Sequence, residues 1–419
     1  MAGLGSMAAG IGGRALLAGA RELVSGRRPA LPALILTPGN ARRLARELAG
    51  MRGAAMKLGQ LLSMDAGEVL PPELTAALTQ LRDGAAAMPA AQLGRVLEGH
   101  WGPGWQRRFR RFEPRPIASA SIGQVHRAET VEGRVLAIKV QHPGVRQAID
   151  SDVANLGTLL RLSGILPPGL DLGAVMAEMR AQLHAEADYL AEAAHLERFG
   201  RLLAADPGFA LPSPVPELSG PEVLAMDYLP GDPVETVEGA PQSTRDSVMA
   251  RLIDLALREI FDFGLIQSDP NFANFRYLSD GDRVGLLDFG ATLPVRPELS
   301  DSLREMLRAL LNDDLPGQRA AALRLSYLAP DTPVDAARVA LDMIAEAGTI
   351  LRQPSLSPAT DTKLAALRDR ALALGSRQPA LPVPPFDLLL IHRKLGGLYL
   401  LAKRLDARID LDTALRRRC

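Results

Sequence analysis

The chain has 419 residues, of which 47% are hydrophobic and 23% charged, so it can fill an apolar core and is not a disordered chain. Its 48 basic residues balance its 48 acidic ones, which argues against a nucleic-acid binder that relies on bulk positive charge. Cys419 is the single cysteine, so a disulfide framework and a cysteine-rich metal site are excluded.

The N-terminal part is predicted to be helical after an irregular start. Residues 1–37 are rich in Gly, Ala and Pro and are expected to be flexible. A helical extension follows over 38–112, with apolar residues at helical spacing in 41–62 and a helix after the two prolines that precede 73–82. A further short helix and a connector with both tryptophans occupy 91–112.

Short strands and a long helix are predicted next, over 113–230. Strands are indicated at 125–128 and 135–140, because β-branched and apolar residues there flank a Glu-Gly turn. Residues 171–203 are rich in Ala, Leu and Glu and predict one continuous helix. A short apolar strand at 223–228 ends before Pro-Gly.

The remainder, 231–419, is predicted to be largely helical around one hairpin. A helix is indicated at 244–263, and strands at 276–278 and 284–287 flank a Ser-Asp-Gly-Asp turn. From Pro297 onward the pattern is mostly helical. The whole order predicts an α+β protein with two lobes and an additional helical segment at the N-terminus.

Three oxygen-bearing side chains are predicted to surround that hairpin. Asp269 and Asn274 are five residues apart, and Asp288 begins the Asp-Phe-Gly sequence that follows the second strand. Hard oxygen ligands of this kind suit Mg²⁺, and the spacing matches the paired Asp/Asn and Asp-Phe-Gly motifs of protein kinases. We expect Asn274 and Asp288 to bind the metal and Asp269 to act in catalysis. The alternative is a polar turn followed by an Asp that ends a strand.

Lys139 is a second candidate, because only five of the 48 basic residues are lysines. Its apolar strand, Leu-Ala-Ile-Lys-Val, is similar to the lysine strand of kinases, whose ammonium contacts nucleotide phosphates. Glu192, four residues after Asp188 and expected on the same helix face, is the predicted partner of Lys139. A solvated acidic helix face is the alternative.

Two backbone segments are predicted to contact a nucleotide. Ala118, Ser119, Ala120, Ser121 and Gly123 occupy the place of a glycine-rich phosphate loop, and their small side chains let the backbone approach a phosphate.

The second segment is Met226, Asp227 and Tyr228, at the end of a strand where kinases place their hinge. Backbone groups there are expected to hydrogen-bond an adenine. An ordinary buried strand is the alternative. ATP and Mg²⁺ are therefore the predicted cofactors.

Taken together these residues resemble the UbiB family of atypical kinases, also called AarF-domain-containing kinases. Four further signatures carry the resemblance, which covers roughly residues 38–405. They are Lys57-Leu58-Gly59-Gln60, Ser121 to His126, Glu186-Ala187-Asp188-Tyr189 and His392-Arg393-Lys394. The Asp269-Pro270-Asn271 sequence looks closest to the mitochondrial-type members that act in ubiquinone biosynthesis.

The resemblance implies a bilobal protein-kinase-like fold, with an N-lobe over 113–230 and a C-lobe over 231–419. In the family the helical extension covers the active site, which would bring Lys57 and Gln60 against Glu186 and Asp188. ATP hydrolysis or phosphorylation of a small molecule is then favoured over phosphorylation of proteins.

The chain also departs from ordinary protein kinases. The His-Arg before the catalytic Asp is replaced by Gln267-Ser268, and no Ala-Pro-Glu follows Gly290. Two alternative functions remain open: a nucleotide-dependent scaffold for quinone-biosynthesis enzymes, and a true protein kinase.

The expected partners follow from the same resemblance. They are ATP, quinone-precursor or phenolic lipids, a membrane surface and quinone-biosynthesis enzymes, with no nucleic acid and with a homodimer left open. No stretch of 18 uncharged apolar residues occurs, and the N-terminus does not read as a secretory signal. A cytoplasmic protein, peripheral at the inner membrane, is therefore expected.

Overall fold

The computed structural model describes residues 87–120, 122–163, 172–377, 381–382 and 384–419. The helices predicted at 41–62 and 73–82 lie outside these residues, as do Lys57 and Gln60. The described chain alternates strands and helices in its first part and is mostly helical after residue 297, so the predicted α+β class is confirmed.

The chain divides into two compact units. Unit 1 comprises Met1–Tyr189 and Leu218–Ala225, and unit 2 comprises Leu190–Glu217 and Met226–Cys419. Both units are discontinuous in sequence, whereas the predicted domains are contiguous stretches. Of the helices in the described part of the chain, none is long and apolar enough to cross a membrane.

Unit 1 is built on a five-stranded sheet. Its strands and helices are α1 Ala90–Trp101, β1 Phe109–Phe112, β2 Ala118–Ser119, β3 Gly123–Thr130, β4 Val135–Gln141, α2 Val145–Ser163, α3 Leu172–Glu186 and the start of β6 Val223–Asp227. The strand order is β1-β3-β4-β6, and β2 pairs with β3. The strands β3 and β4 are antiparallel, with Val125 opposite Lys139, which confirms the predicted hairpin.

The core of unit 1 follows from the alternation in these strands. Leu136, Ile138 and Val140 of β4 are buried and alternate along the strand, so they share one face of the sheet. Strand β1 was not predicted, because its Phe-Arg-Arg-Phe sequence does not alternate in a regular way. Tertiary packing decides it: Phe109 and Phe112 pack edge-on against Trp105.

The prediction of a single helix over 171–203 is wrong, because the helix is interrupted between Glu186 and Tyr189. The helix α3 ends at Glu186, and α4 spans Tyr189–Leu202. The carbonyl of Ala187 accepts a hydrogen bond from Gln141 Nε2 at 2.8 Å, so it is satisfied by a strand of unit 1. Asp188 therefore precedes the helix that carries Glu192, and the two carboxylates do not share a helix face.

Unit 2 holds two small sheets and most of the helices. Its strands are β5 Phe209–Ala210, β7 Asp232–Pro233, β8 Leu265–Gln267, β9 Phe275–Leu278, β10 Arg283–Leu286 and β11 Thr292–Pro294. One sheet has the order β5-β10-β9-β7, and the other pairs β11 with β8. The hairpin β9–β10 confirms the predicted strands, with Leu278 opposite Arg283 across the turn.

Among the described residues of unit 2, seven helices follow α4. They are α5 Gln242–Arg258, α6 Pro297–Leu311, α7 Leu315–Arg324, α8 Val334–Leu351, α9 Thr362–Arg377, α10 Phe386–Arg404 and α11 Leu411–Arg416. A π-helical turn, Glu259–Phe263, extends α5 to the end predicted from the sequence. A shared apolar core joins α6, α7, α8 and α10 to β8, with Leu388 and Ala321 fully buried. This core fixes α10 beside the strand that leads to Asp269.

Candidate active site

The structure brings together the three polar residues predicted around the hairpin. Asn274 Nδ2 donates to Asp269 Oδ2 at 3.1 Å. The carbonyl of Asn274 accepts a hydrogen bond from Leu287 N at 3.0 Å, which extends the β9–β10 pairing by one step. Asp288 is the residue that follows Leu287. Asp269, Asn274 and Asp288, which are close in the chain, therefore lie at the open end of one hairpin.

The loop between Asp269 and Asn274 is short and internally bonded. Pro270 lacks a backbone donor, and Asn271 caps a short 3₁₀ turn by accepting from Ala273 N at 3.1 Å. Asn274 itself is 9% exposed, so its amide is held rather than free to rotate. With its nitrogen directed to Asp269, the oxygen of the same amide is the atom that can bind a cation.

Asp288 lies in a tight turn that Gly290 closes. Asp288 Oδ1 accepts from Gly290 N at 2.9 Å, and a Cβ built on Gly290 would lie 3.3 Å from that same oxygen. The carboxylate of Glu192 lies close by, with its Oε2 3.5 Å from the same built Cβ. Phe289, which lies between Asp288 and Gly290 in the sequence, is buried against Phe199 with ring centroids 4.7 Å apart. Glu192 and Asp288 are thus carried on neighbouring parts of unit 2.

Glu192 is placed by the helix break. It is 2% exposed and lies in the first turn of α4, where the helix dipole favours a negative charge. Its predicted partner Lys139 belongs to unit 1, and the pairing of the two stays a prediction.

Lys139 is buried in unit 1, at 6% exposure. Its Nζ lies 5.0 Å from the centroid of the Tyr189 ring, at a distance typical of a cation–π contact. Tyr189 is itself fully buried and follows Asp188 of the Glu-Ala-Asp-Tyr signature. The signature thus contributes an aromatic ring to the surroundings of the lysine, whereas the sequence analysis considered only its carboxylates.

The alanine- and serine-rich segment forms a tight hairpin with β3. Ala118 and Ser119 form β2, and Ala120 N donates to Gly123 O at 2.9 Å across the turn. Ser121 lies outside the described residues. Gly123 has a separate packing reason for being glycine, because a Cβ would lie 2.4 Å from Val140 O and 2.9 Å from Tyr189 Oη.

Next to this hairpin lies a neutral polar network that the sequence analysis missed. Gln124 Oε1 accepts from Met88 N at 2.8 Å, and its amide nitrogen lies 2.8 Å from His126 Nε2. Since the amide nitrogen can only donate, His126 Nε2 accepts, and His126 Nδ1–H donates to Glu113 O at 2.9 Å. Burial lowers the pKa of His126, which agrees with a neutral ring.

The predicted hinge residues end β6. Met226 is buried, and Asp227 N donates to Ser213 O at 2.9 Å. This donor is therefore used inside unit 2, and it would have to leave Ser213 to bond a base. Contact of Met226, Asp227 and Tyr228 with an adenine stays a prediction.

The signature His392-Arg393-Lys394 makes buried contacts to which the sequence analysis assigned no role. Arg393 Nη2 lies 3.4 Å from Asp269 Oδ1, and both side chains are largely buried. Lys394 Nζ lies 2.8 Å from Glu259 Oε2 and donates to Gln267 O at 2.9 Å. The rarity of lysine marked Lys394 in the sequence, but nothing there indicated Glu259 as its partner.

His392 completes this row of contacts on α10. Its Nε2 lies 2.5 Å from Tyr327 Oη, and the two rings are stacked with an interplanar angle of 7°. Burial lowers the pKa of His392 to about 4 and raises the pKa of Tyr327. The imidazole is therefore neutral near pH 7, and the pair acts as packed structure.

The oxygen atoms at the hairpin fit a magnesium ion that is bound partly by the protein and partly by phosphate oxygens. Within the described residues, no three His, Cys, Asp or Glu side chains gather as a metal site. Asp288 and Asn274 supply hard oxygen atoms of the kind Mg²⁺ takes, and Mg²⁺ usually keeps other positions for water and substrate phosphates. The residues present therefore fit a site in which substrate and water supply some of the ligands, rather than one in which the protein supplies them all.

Comparisons with known proteins are consistent with these observations. The sequence model of the ABC1 atypical kinase-like domain matches residues 80–320. Atypical kinase COQ8, mitochondrial, of Saccharomyces cerevisiae is 35% identical over 410 residues, which cover 97% of this chain and 81% of that protein. Atypical kinase COQ8B, mitochondrial, of Rattus norvegicus is 36% identical over 377 residues, covering 89% of this chain and 71% of the relative.

A solved structure extends the comparison to the fold. The complex of Rv3197 with erythromycin from Mycobacterium tuberculosis shares 26% identity with this chain and superposes with a TM-score of 0.64. The match covers 90% of this chain and 95% of that one. The similarity therefore includes both units rather than a single motif.

Proposed function

Since this chain belongs to the family of ABC1 atypical kinase-like domains, we propose that it binds Mg-ATP and transfers or hydrolyses the terminal phosphoryl group. The activity would support the biosynthesis of ubiquinone or a related lipid at a membrane. The observation that carries this proposal is the contact of Asn274 with Asp269 at the hairpin that also leads to Asp288.

The proposed roles in unit 2 follow from the chemistry of the three side chains at the hairpin. Asp288 and Asn274 would hold Mg²⁺ through their oxygen atoms. When bound, the ion supplies neutralisation of the charge that develops on the transferred phosphoryl group. Asp269 would accept a hydrogen bond from the attacking water or substrate hydroxyl, so that this oxygen is oriented and its proton has a place to go.

Unit 1 would supply the contacts to the phosphates. The ammonium of Lys139 is held on a paired strand, and its charge is compact, so it can approach two phosphate oxygens at once. The hairpin of Ala118 to Gly123 would bring small side chains and backbone donors to the same groups. Glu192 would orient Lys139.

The acceptor is proposed to be water or a small molecule rather than a protein. The support is the family resemblance, in which Lys57 and Gln60 of the extension face Glu186 and Asp188 and cover the site. No Ala-Pro-Glu follows Gly290 in the sequence, so the segment on which protein kinases bind their substrates is not recognisable.

The link to ubiquinone rests on the relatives. Two of them carry the names COQ8 and COQ8B and are mitochondrial. We propose a peripheral membrane location for this chain, with quinone precursors or phenolic lipids as the molecules it acts on or senses.

The deciding experiment is steady-state hydrolysis of Mg-ATP by the full chain, with and without anionic liposomes and a soluble phenol. Asp288→Asn removes one proposed metal ligand with little change in shape. Its matched control is Asp280→Asn, an exposed carboxylate in the turn of the same hairpin that pairs with Arg283.

We expect Asp288→Asn to lose hydrolysis by at least about 100-fold, because phosphoryl transfer depends on placed positive charge. It should also lose the thermal stabilisation that Mg-ATP confers, while Asp280→Asn keeps both. Stabilisation of Asp288→Asn at the wild-type level would refute the metal assignment. Binding of Mg-ATP without hydrolysis under any condition would favour a nucleotide-dependent scaffold.

A further inference from the structure

The sequence lacks a basic residue next to its candidate catalytic aspartate. Asp269 follows Gln267-Ser268, where ordinary protein kinases have His-Arg. The structure supplies an arginine from elsewhere, because Arg393 lies 124 residues later and forms a 3.4 Å ion pair with Asp269 Oδ1. Its side chain is 2% exposed, whereas that of Asp269 is 16% exposed.

The helix α10 holds the same segment at two further points. Lys394 donates to the carbonyl of Gln267, the last residue of β8. Gly397, one turn after Arg393, touches Pro270 so closely that a Cβ there would lie 2.2 Å from Pro270 Cβ. Three positions on α10 therefore contact the segment around Asp269, at Gln267, at Asp269 itself and at Pro270.

We propose that Arg393 is a positioning residue for Asp269, and that α10 fixes the catalytic segment through it. This inference rests on the proposed function, since it assigns Arg393 a role in the same phosphoryl transfer. Asp269 is then held at both oxygens: Oδ1 by Arg393 and Oδ2 by Asn274. One carboxylate rotamer is selected, so the direction from which the attacking group meets the carboxylate is set.

Stability alone does not account for an arginine at this position. A buried ion pair is often no more stabilising than well-packed apolar side chains of similar volume. Arg393 Nε is buried and makes no hydrogen bond within the described residues, so the guanidinium is not fully satisfied by its surroundings. A charge-assisted contact from a buried guanidinium fixes the direction of the carboxylate it meets.

The test compares three variants of the full chain in Mg-ATP hydrolysis. Arg393→Met removes the charge and keeps an unbranched side chain, and Arg393→Lys keeps the charge. Arg258→Met is the matched control, because Arg258 forms a 2.6 Å ion pair with Asp206 in the same unit and contacts none of the site residues described above. Folding is checked by thermal unfolding of each variant.

We expect Arg393→Met to lower kcat by about 100-fold with KM changed less than about threefold, because misplacing one catalytic group affects the transition state most. Arg393→Lys should recover about tenfold of that loss. Arg258→Met should lower the unfolding temperature and leave kcat unchanged. If Arg393→Met does not fold, the kcat and KM of Arg393→Lys carry the comparison.

The inference is overturned if wild-type protein hydrolyses Mg-ATP and Arg393→Met retains its kcat. It is also overturned if the thermal unfolding of Arg393→Met shows that its loss of kcat equals its loss of folded protein. Absence of hydrolysis by wild-type protein refutes the proposed function first, and the inference with it. The two failures are therefore distinguished by the wild-type measurement alone.

Discussion

Each unit contains a buried polar network, and the two networks satisfy their buried polar groups in different ways. In unit 1, Gln124 and His126 are linked by hydrogen bonds between neutral groups. In unit 2, Lys394 and Glu259 are almost fully buried and form an ion pair. The neutral network joins β3 to chain segments outside the sheet, whereas the ionic one joins α10 to the segment before Asp269.

The two networks differ in the free energy that is lost when one of their groups loses its partner. A neutral group that loses its partner leaves one unsatisfied hydrogen bond, which costs about 1–3 kcal/mol. A buried charge that loses its partner leaves an uncompensated ion, which costs several kcal/mol. The ionic network thus resists small displacements of α10 more strongly than an apolar contact would. The segment before Asp269 is held by the ionic network, which costs more when it is disturbed.

Removing the cation of unit 2 should have the largest effect. Lys394→Met leaves the Glu259 carboxylate without its partner, and burial already raises the pKa of Glu259. We expect a loss of about 3–5 kcal/mol in the free energy of unfolding, measured by urea denaturation. Lys403→Met, an exposed lysine on the same helix, is the control and should be near neutral. A loss below about 1 kcal/mol for Lys394→Met would contradict the ionic account.

Lowering the pH should destabilise the protein through the buried His392 of α10. The folded-state pKa of His392 is about 4, well below its ordinary value of 6.5, because burial disfavours the charged ring. The unfolded chain therefore binds a proton that the folded chain does not between these two values. Stability that is complete above pH 6.5 is lost as the pH falls to about 4, by about 3 kcal/mol from this residue.

The variant that isolates this effect is His392→Gln, which keeps an acceptor for Tyr327 Oη and cannot titrate. The free energy of unfolding is measured for both proteins at several values from pH 7 to pH 4. We expect the wild-type curve to fall more steeply than that of the variant. Parallel curves would show that the pKa of His392 is the same in the folded and the unfolded protein.

A smaller effect is expected at the hairpin of unit 1. Gly123→Ala places a Cβ 2.4 Å from the Val140 carbonyl, a backbone atom of a paired strand that cannot move away easily. We expect a loss of about 1–3 kcal/mol in unfolding free energy. Gly99→Ala in α1 meets no atom within 4 Å and should stabilise by about 0.5–1 kcal/mol. Equal effects at the two glycines would argue against close packing at Gly123.

Much of the local structure and the site followed from the sequence. The strands of the hairpins β3–β4 and β9–β10, their turns and the helical C-terminal part are local patterns, and their types were predicted with ends shifted by a few residues. The short strands β1, β2, β5, β7, β8 and β11 were not predicted. The spacing of Asp269, Asn274 and Asp288 around a hairpin predicted that they meet, because hairpin pairing brings its flanks together. The resemblance to the UbiB atypical kinases and the kinase-like class are confirmed by the family match.

Other features were decided only by tertiary contacts. The helix break after Glu186 occurs in a sequence of good helix formers, because Gln141 binds the carbonyl of Ala187. The approach of Arg393 to Asp269 depends on how α10 packs, and no local pattern reports a contact across 124 residues.

Sequence by itself thus determined which chemical groups this protein carries and which of them are neighbours through local pairing. The tertiary structure decided which distant charges are buried together. Pairing along a strand or turn is a short-range property of the chain, whereas the burial of a charge depends on every element packed around it.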